Sequence, residues 1–573
     1  MPGAILTRIS FSFAADGRHA ACLARQDDGP LRVERWSFTG PAPRRATLDG
    51  GRSIWTQLLT LTDGRILFTR PGAGHNRLVL AEPAADGLAE RTLLTIDCPS
   101  VRLIASPDSR ALALAVGTAD ERSAIWRIPG DGSAPERTAE LPGLLTGGHP
   151  LAGGGLGFNQ RLDGMVRPIA LDPRTGAVTP LPGTAPGQHL LLSAPGTGRL
   201  ILAGTAGQRL RLGHAEAGQP RFPGVLDEID GSVAPMAADP TGEDVALRVN
   251  HGARSRLMVY TPRRERIREI PIPPGVIGHA CAWGARGLRF PFSSPSRPGG
   301  IATVDPATGR WETTPADDDH AWADARAESF AGPDGPIEAV VYGDPRRARR
   351  LLISLHGGPE AATQLGFDPF MQAMAGAGIA VVAPNYRGST GYGAAHQRAL
   401  TGAWGGPDLA DVRELARQLA RPGLALMVHG TSYGAYLALL AACADPHLWS
   451  HCVAVSPFLS GPRLYEEGAP GVRALLDRLG GRVVIDDRLG PRDVARLCDR
   501  ITARLLIVHA RDDEVIPVGQ SRELRARLLS AGRREGRDFV YSEYPTGGHD
   551  LLSGQAMESF LRFLLADGPK SPR

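Results

Sequence analysis

Lysine is almost missing from this sequence: among 64 basic residues, Lys570 alone is a lysine. Positive charge is carried by arginine, and 71 glycines and 48 prolines accompany it. The pattern reads as a genome-wide compositional bias, so a single arginine or glycine carries less information than usual. Cysteine is sparse too. Cys22, Cys98, Cys281, Cys443, Cys452 and Cys498 are scattered, with neither the close spacing of a disulfide framework nor a CxxC metal pattern, so reduced structural thiols and no metal are expected. No apolar run approaches the roughly 18 residues that span a bilayer. The opening stretch, Met1 to Arg8, lacks a basic region followed by an apolar one, so no secretory leader is expected. No membrane is expected as a partner, and the cytoplasm is the expected location. Neither sign of charge dominates: 64 basic residues face 60 acidic ones, for a net charge of +4. The two signs are interleaved, so no field builds up that would draw in a polyanion, which argues against nucleic acid as a partner.

What is present is enough for a packed enzyme. At 573 residues the chain exceeds the roughly 250 to 300 residues at which single cores stop growing, so two domains are expected. Up to about residue 320 it shows short apolar runs separated by Gly, Pro and Asp clusters, an all-β signature. A turn dipeptide followed by a strand-like run recurs at Asp16-Gly17, Asp63-Gly64, Asp108-Ser109, Asp163-Gly164, Thr197-Gly198, Thr241-Gly242 and Arg286-Gly287. The spacing, mostly near 45 residues, is about the length of one four-stranded propeller blade. Residues 1–325 are therefore expected to form a β-propeller of seven blades. Beyond that, apolar strands such as Leu351–Leu355, Ile379–Ala383, Leu424–Val428, His451–Val455 and Leu505–Val508 alternate with amphipathic helices. Residues 326–573 are accordingly expected to form a parallel α/β domain. Its first strand is expected to follow the turn-rich segment Ala331-Gly332-Pro333-Asp334-Gly335-Pro336.

Three segments carry chemistry. Gly430-Thr431-Ser432-Tyr433-Gly434 is a G-x-S-x-G between a strand and a helix. In that context the turn exposes the serine hydroxyl above a sheet, and the helix start offers an N–H and a positive dipole end to an oxyanion. Serine needs a base, and His549, on the loop Thr546-Gly547-Gly548-His549-Asp550 beyond the last strand, is placed to reach back to it. His509 is a rival, but it ends a buried strand; Asp550 reads as a surface residue. The acid is Asp512 or Asp513, adjacent side chains that point in different directions. His356-Gly357-Gly358-Pro359 follows the first strong strand, and its glycines let backbone N–H groups approach an oxyanion, with Tyr433 supplying the second donor.

These segments, together with Asn385-Tyr386-Arg387-Gly388-Ser389-Thr390-Gly391-Tyr392-Gly393 and Trp404-Gly405-Gly406 with Asp408 and Asp411, resemble the prolyl oligopeptidase family. Within it the chain is similar to the acylaminoacyl peptidase and dipeptidyl peptidase branches. The resemblance implies an N-terminal propeller capping an α/β hydrolase and a catalytic triad of Ser432, Asp513 and His549. It also implies oxyanion donors at Tyr433 and Gly358, and an apolar substrate pocket near Tyr433, Phe458, Tyr465 and Ile516. The chain departs from the family at Gly434-Ala435, where Gly-Gly is usual, at His509-Ala510, where His-Gly is usual, and in the segment Ser456–Pro462. It has no clear counterpart of the paired glutamates of dipeptidyl peptidases. The expected function is a serine peptidase acting on short peptides or acylated and aminoacyl amides through an acyl-enzyme, without a cofactor. An esterase, lactone hydrolase or acyl transferase would use the same residues. Beyond a peptide-like substrate, a homo-oligomer is compatible with the sequence.

Overall fold

The computed structural model describes residues 6–27, 29–84, 87–206, 209–216, 218–317, 320–549 and 554–566. Asp550 lies outside them. Seven antiparallel sheets follow one another from residue 6 to residue 313. The first is built of Leu6–Phe13, His19–Gln26, Leu31–Ser37 and Arg44–Arg52, paired in that order. The others occupy residues 58–96, 100–142, 144–180, 189–215, 232–270 and 276–313, and together the seven make a seven-bladed propeller. The cores lie between neighbouring blades, where Phe68, Phe158 and Phe290 on the second strands of their blades are fully buried.

Six of the seven turn dipeptides sit between the first and second strands of a blade. The exception is Asp163-Gly164, which joins the second strand of the fourth blade to its third. Both residues there have positive φ, 51° and 75°, as a two-residue hairpin turn requires. The equivalent first turn of that blade carries Gly153 and Gly154 instead. This slip of one hairpin accounts for the uneven spacing on either side.

The arginines are more informative than the composition suggested. Arg35, Arg102, Arg199, Arg248 and Arg289 each donate to a main-chain carbonyl of an adjacent blade: Gly64, Gly147, Gly242, Ile277 and Gly17 respectively. First and last blades share no strand. Their seam is closed by Arg289 and by Arg8, which reaches Gly299 O at 2.9 Å and Asp317 at 2.7 Å while pairing with buried Glu34 at 2.7 Å.

The second half is one eight-stranded sheet: β1 (Ala325–Phe330), β2 (Ile337–Tyr342), β3 (Arg350–Leu355), β4 (Ala380–Pro384), β5 (Ala425–Thr431), β6 (His451–Val455), β7 (Arg504–Ala510) and β8 (Phe539–Tyr544). Their spatial order is β1-β2-β4-β3-β5-β6-β7-β8, antiparallel at the first two strands and parallel from β4 onward. The turn at 331–336 therefore does not precede the sheet. It joins β1 to β2, and the expectation that the first strand follows it is corrected. The alternating, half-exposed side chains of β1 conceal it among the propeller strands when only the sequence is read.

Helices cover both faces: α1 (Pro369–Gly376) and α5 (Gly554–Leu565) on one, α2 (Pro407–Leu419), α3 (Tyr433–Ala444) and α4 (Gly519–Ser530) on the other. Helix α3 is buried from Tyr433 to Cys443 and has no charged side chain, as a helix enclosed on all sides must be. Because β5, β6, β7 and β8 run parallel, the segments after β5, β7 and β8 emerge on one edge of the sheet.

Candidate active site

Ser432 occupies the junction between β5 and α3 with φ 58° and ψ −119°, a conformation that costs an L-residue about 1–3 kcal/mol. Its N–H donates to Val455 O at 2.9 Å, and its carbonyl accepts from Ala435 N at 3.0 Å and Tyr436 N at 3.1 Å. The flanking glycines are fixed by space. A β-carbon at Gly430 would overlap the backbone of Gly434, and one at Gly434 would overlap the carbonyl of Leu355. This close crossing brings the loop after β3 alongside the serine: a β-carbon on Gly357 would lie 3.6 Å from that of Ser432. Gly358 comes next, with φ +122°, a value open to glycine and rarely to other residues. Tyr433 is the first residue of α3, so its N–H has no acceptor within the helix and stands at the positive end of the dipole.

On the same edge, beyond β8, His549 Nδ1 donates to Asp513 Oδ2 at 2.8 Å. The other carboxylate oxygen accepts from Val515 N and Ile516 N, both at 2.9 Å. Burial by itself would raise the pKa of Asp513, but hydrogen bonds from His509, His549 and the Ile516 amide outweigh it and hold the carboxyl well below its usual range. An ionised acceptor at Nδ1 keeps the imidazole proton there and leaves Nε2 to act as a base. Ser432 Oγ has no hydrogen-bond partner among the described residues. No hydrogen bond therefore links Ser432 to His549 here; a serine and a histidine that act together commonly tighten their contact when substrate binds.

The adjacent aspartates divide the work. Asp513 holds the imidazole, and Asp512 accepts from Gly548 N at 2.9 Å and Gly547 N at 3.4 Å, anchoring the loop that carries it. The rival His509 is fully buried. Its Nδ1 pairs with Ser521 Oγ at 2.7 Å, and its Nε2 lies 2.9 Å from Ile516 O and 3.4 Å from Asp513 Oδ2. Both of its ring nitrogens are thus engaged, bracing Asp513 from behind.

A model described as the prolyl oligopeptidase family matches residues 366–566. The chain carries a prolyl oligopeptidase family domain. Dipeptidyl peptidase family member 6 of Caenorhabditis elegans is 26% identical over 222 residues, a match that takes in 37% of this chain and 30% of that protein. The chain thus spans less than a third of that curated relative's length. Two solved structures extend the likeness over both halves. Acylaminoacyl peptidase of Pyrococcus horikoshii superposes with a TM-score of 0.75 at 16% identity, covering 98% of this chain and 94% of that one. A puromycin-hydrolyzing peptidase of Mycobacterium tuberculosis gives a TM-score of 0.72 at 20% identity, covering 97% and 94%. At such identities the likeness is one of fold, a propeller followed by an α/β hydrolase.

Further motifs of the prolyl oligopeptidase family domain form the wall beneath the serine. Tyr386 stacks on His356 with ring centroids 4.3 Å apart and donates to its carbonyl at 2.6 Å, while His356 Nε2 pairs with Ser389 Oγ at 2.8 Å. Tyr433 OH donates to Asp408 Oδ2 at 2.6 Å under the edge of Trp404. Asp408 is fully buried, and desolvation pushes its pKa up to about 6. Phe458 stacks on Tyr436 at 4.6 Å and is buried, as is Ile516. Tyr465 is half-buried on the helix Gly461–Glu467, with Arg482 over its ring at 4.1 Å. The sequence reading weighed Asp512 only as an alternative acid and missed its bonds to the Gly547 and Gly548 amides, as well as the second partners of Asp513. Their only signal was the doubled aspartate itself, since hydrogen bonds to loop amides leave no residue pattern.

Proposed function

We propose that this protein is a serine hydrolase of the prolyl oligopeptidase type that cleaves an amide bond in a short peptide or aminoacyl amide. Ser432 attacks the carbonyl as His549 Nε2 takes its proton. Asp513 holds the imidazole and offsets its positive charge, and the N–H groups of Tyr433 and Gly358 receive the oxyanion. His549 then gives the proton to the leaving amine, and water releases the acyl group by the same steps in reverse order of proton flow. Phe458, Tyr465 and Ile516 form the apolar side of the substrate site. Residues 1–325 act as a filter over the catalytic half, 326–573, admitting short or unfolded chains.

The observation that carries this reading is the His549 to Asp513 bond on the sheet edge where Ser432 is held in its strained turn. The names of the solved structures support an amide substrate, one of them being held with a peptidyl chloromethyl ketone. Six unpaired thiols, five of them buried, support work in a reducing compartment such as the cytoplasm. The test is turnover of matched aminoacyl amide and ester chromogenic substrates by the parent and by Ser432→Ala. A loss on the order of a million-fold in kcat is expected, as for other triads, with labelling by a fluorophosphonate lost alongside. Near-normal turnover by Ser432→Ala would end the proposal, and ester cleavage without amide cleavage would move it to the esterase class.

A further inference from the structure

The run from Asn385 to Gly393 is the most specific stretch of the sequence, but only its middle faces the site. Its two ends meet elsewhere. Asn385 Nδ2 donates to Tyr392 OH at 2.7 Å, and Tyr392 OH donates to Glu338 Oε2 at 2.7 Å. The same Glu338 oxygen accepts from Ala253 N at 2.7 Å. Ala253 belongs to the hairpin between Val245–His251 and Arg254–Thr261 in the sixth propeller blade. At the other end of the chain of bonds, Asn385 Oδ1 accepts from Thr363 N at 2.7 Å and its amide donates to Thr363 O at 2.9 Å. Thr363 lies on the loop that carries Gly358.

The hairpin also touches that loop directly, since Leu365 N donates to Ala253 O at 2.7 Å, and Gly252 N donates to Gly391 O at 3.0 Å. Two glycines make the crossing possible. Gly252 has φ +58°, and a β-carbon there would overlap the Glu338 carboxylate. Gly391 has φ +89°, and its β-carbon would lie 3.3 Å from Gly252 N. One carboxylate oxygen thus joins a propeller amide to a hydrogen-bonded series ending on the loop behind the serine. Bonds to an ionised acceptor are the strong members of such a series.

We propose that Glu338 is a positioning residue that couples the seating of the propeller hairpin 250–254 to the placement of the Gly358 loop, so that the oxyanion donor is set only when the propeller is docked. The inference rests on the reading of Gly358 as an oxyanion donor. A displacement of about 1 Å at such a donor can cost on the order of a hundredfold in rate, and residues along a coupling network typically change it by several-fold to about tenfold.

The experiment measures kcat and KM of the full chain on an aminoacyl amide for Glu338→Ala, Glu338→Gln, Tyr392→Phe, Gly252→Ala and the double variant Tyr392→Phe with Gly252→Ala. Glu338→Ala should lower kcat about tenfold with little change in KM. Glu338→Gln should recover most of the loss, because its carbonyl oxygen can accept both bonds. Tyr392→Phe and Gly252→Ala should each lower kcat, and the double variant should lose no more than the worse single one, since both break the same series. An unchanged kcat in Tyr392→Phe, which removes one oxygen and so tests the idea even if Glu338→Ala does not fold, would overturn the coupling. Losses that multiply in the double variant would overturn it too. Ser432→Ala is assayed alongside: if it stays active, the site reading fails; if it is dead while the Glu338, Tyr392 and Gly252 variants are normal, the coupling alone fails.

Discussion

In the propeller, buried arginines direct their donors to main-chain carbonyls of the next blade, as Arg199 does to Gly242 O at 2.5 Å and Arg289 to Gly17 O at 2.7 Å. Around the hydrolase site many polar groups instead aim at other side chains or at loop amides: Arg387 pairs with Asp411, Tyr433 with Asp408, and Asp513 with two histidines. Carbonyl clamps tie neighbouring blades together whatever the nearby side chains are, so they hold a shape. Side-chain pairs fix the direction of one group against another, so they hold a chemistry. The first arrangement tolerates substitution nearby; the second is sensitive to the loss of a single atom.

Separating the two halves by mutation tests that contrast. Asp513→Asn should give the largest effect, a fall in kcat of about ten-thousand-fold through the wrong imidazole tautomer, while thermal unfolding of the propeller is unmoved; calorimetry beside steady-state kinetics checks both. Arg8→Met should do the reverse. It leaves the buried Glu34 carboxylate without its main partner and should cost about 3–5 kcal/mol of stability, read by urea denaturation, with kcat at low temperature close to the parent's. A retained stability would mean that the seam is held by something other than this pair.

The smallest effect sharpens the contrast through pH. Asp408 has a folded pKa raised to about 6 from a reference of 3.8. Below about pH 4 both folded and unfolded chains hold this proton and burial carries no charge penalty. As pH rises from 4 to 6 the unfolded chain ionises first, so the folded state loses up to about 3 kcal/mol, and the loss is complete above that range. Asp408→Asn cannot ionise yet keeps an oxygen for Tyr433 OH. Its stability relative to the parent should therefore rise between pH 4 and pH 7.5; a gap independent of pH would contradict the assignment.

How much of this was legible in the sequence follows the same division. Gly430, Ser432 and Gly434 announce themselves because an exposed hydroxyl on a tight turn demands small neighbours, and His549 because it closes a glycine-rich loop after a strand. The blade period was visible because a turn recurs between the first and second strands of each blade, although Asp163-Gly164 marked a different hairpin from its fellows. The clamping arginines were hidden by their own abundance: nothing in the string distinguishes Arg199, which is buried, from Arg174, which is exposed. The helix Pro470–Leu479 was overlooked, although Pro470 at its first position and Gly480 beyond its end, with φ 63°, are ordinary start and stop signals. Glu338 gave no sign at all, because its carboxylate partners come from two stretches of chain far from each other and from it.

The ring's two tips are pinned, not woven. Parting the first blade from the seventh would break the contacts of Arg8 and Arg289 and leave each strand with the neighbours it already has. The ring can therefore part along one seam without unravelling any sheet, at the cost of a few guanidinium bonds and of the packing of Ile301 against Ala20, Trp36 and Phe38. Because Arg8 and Glu34 are buried and Arg289 donates to a neutral carbonyl, added salt screens these pins little, and the ring keeps its closure across a wide range of ionic strength.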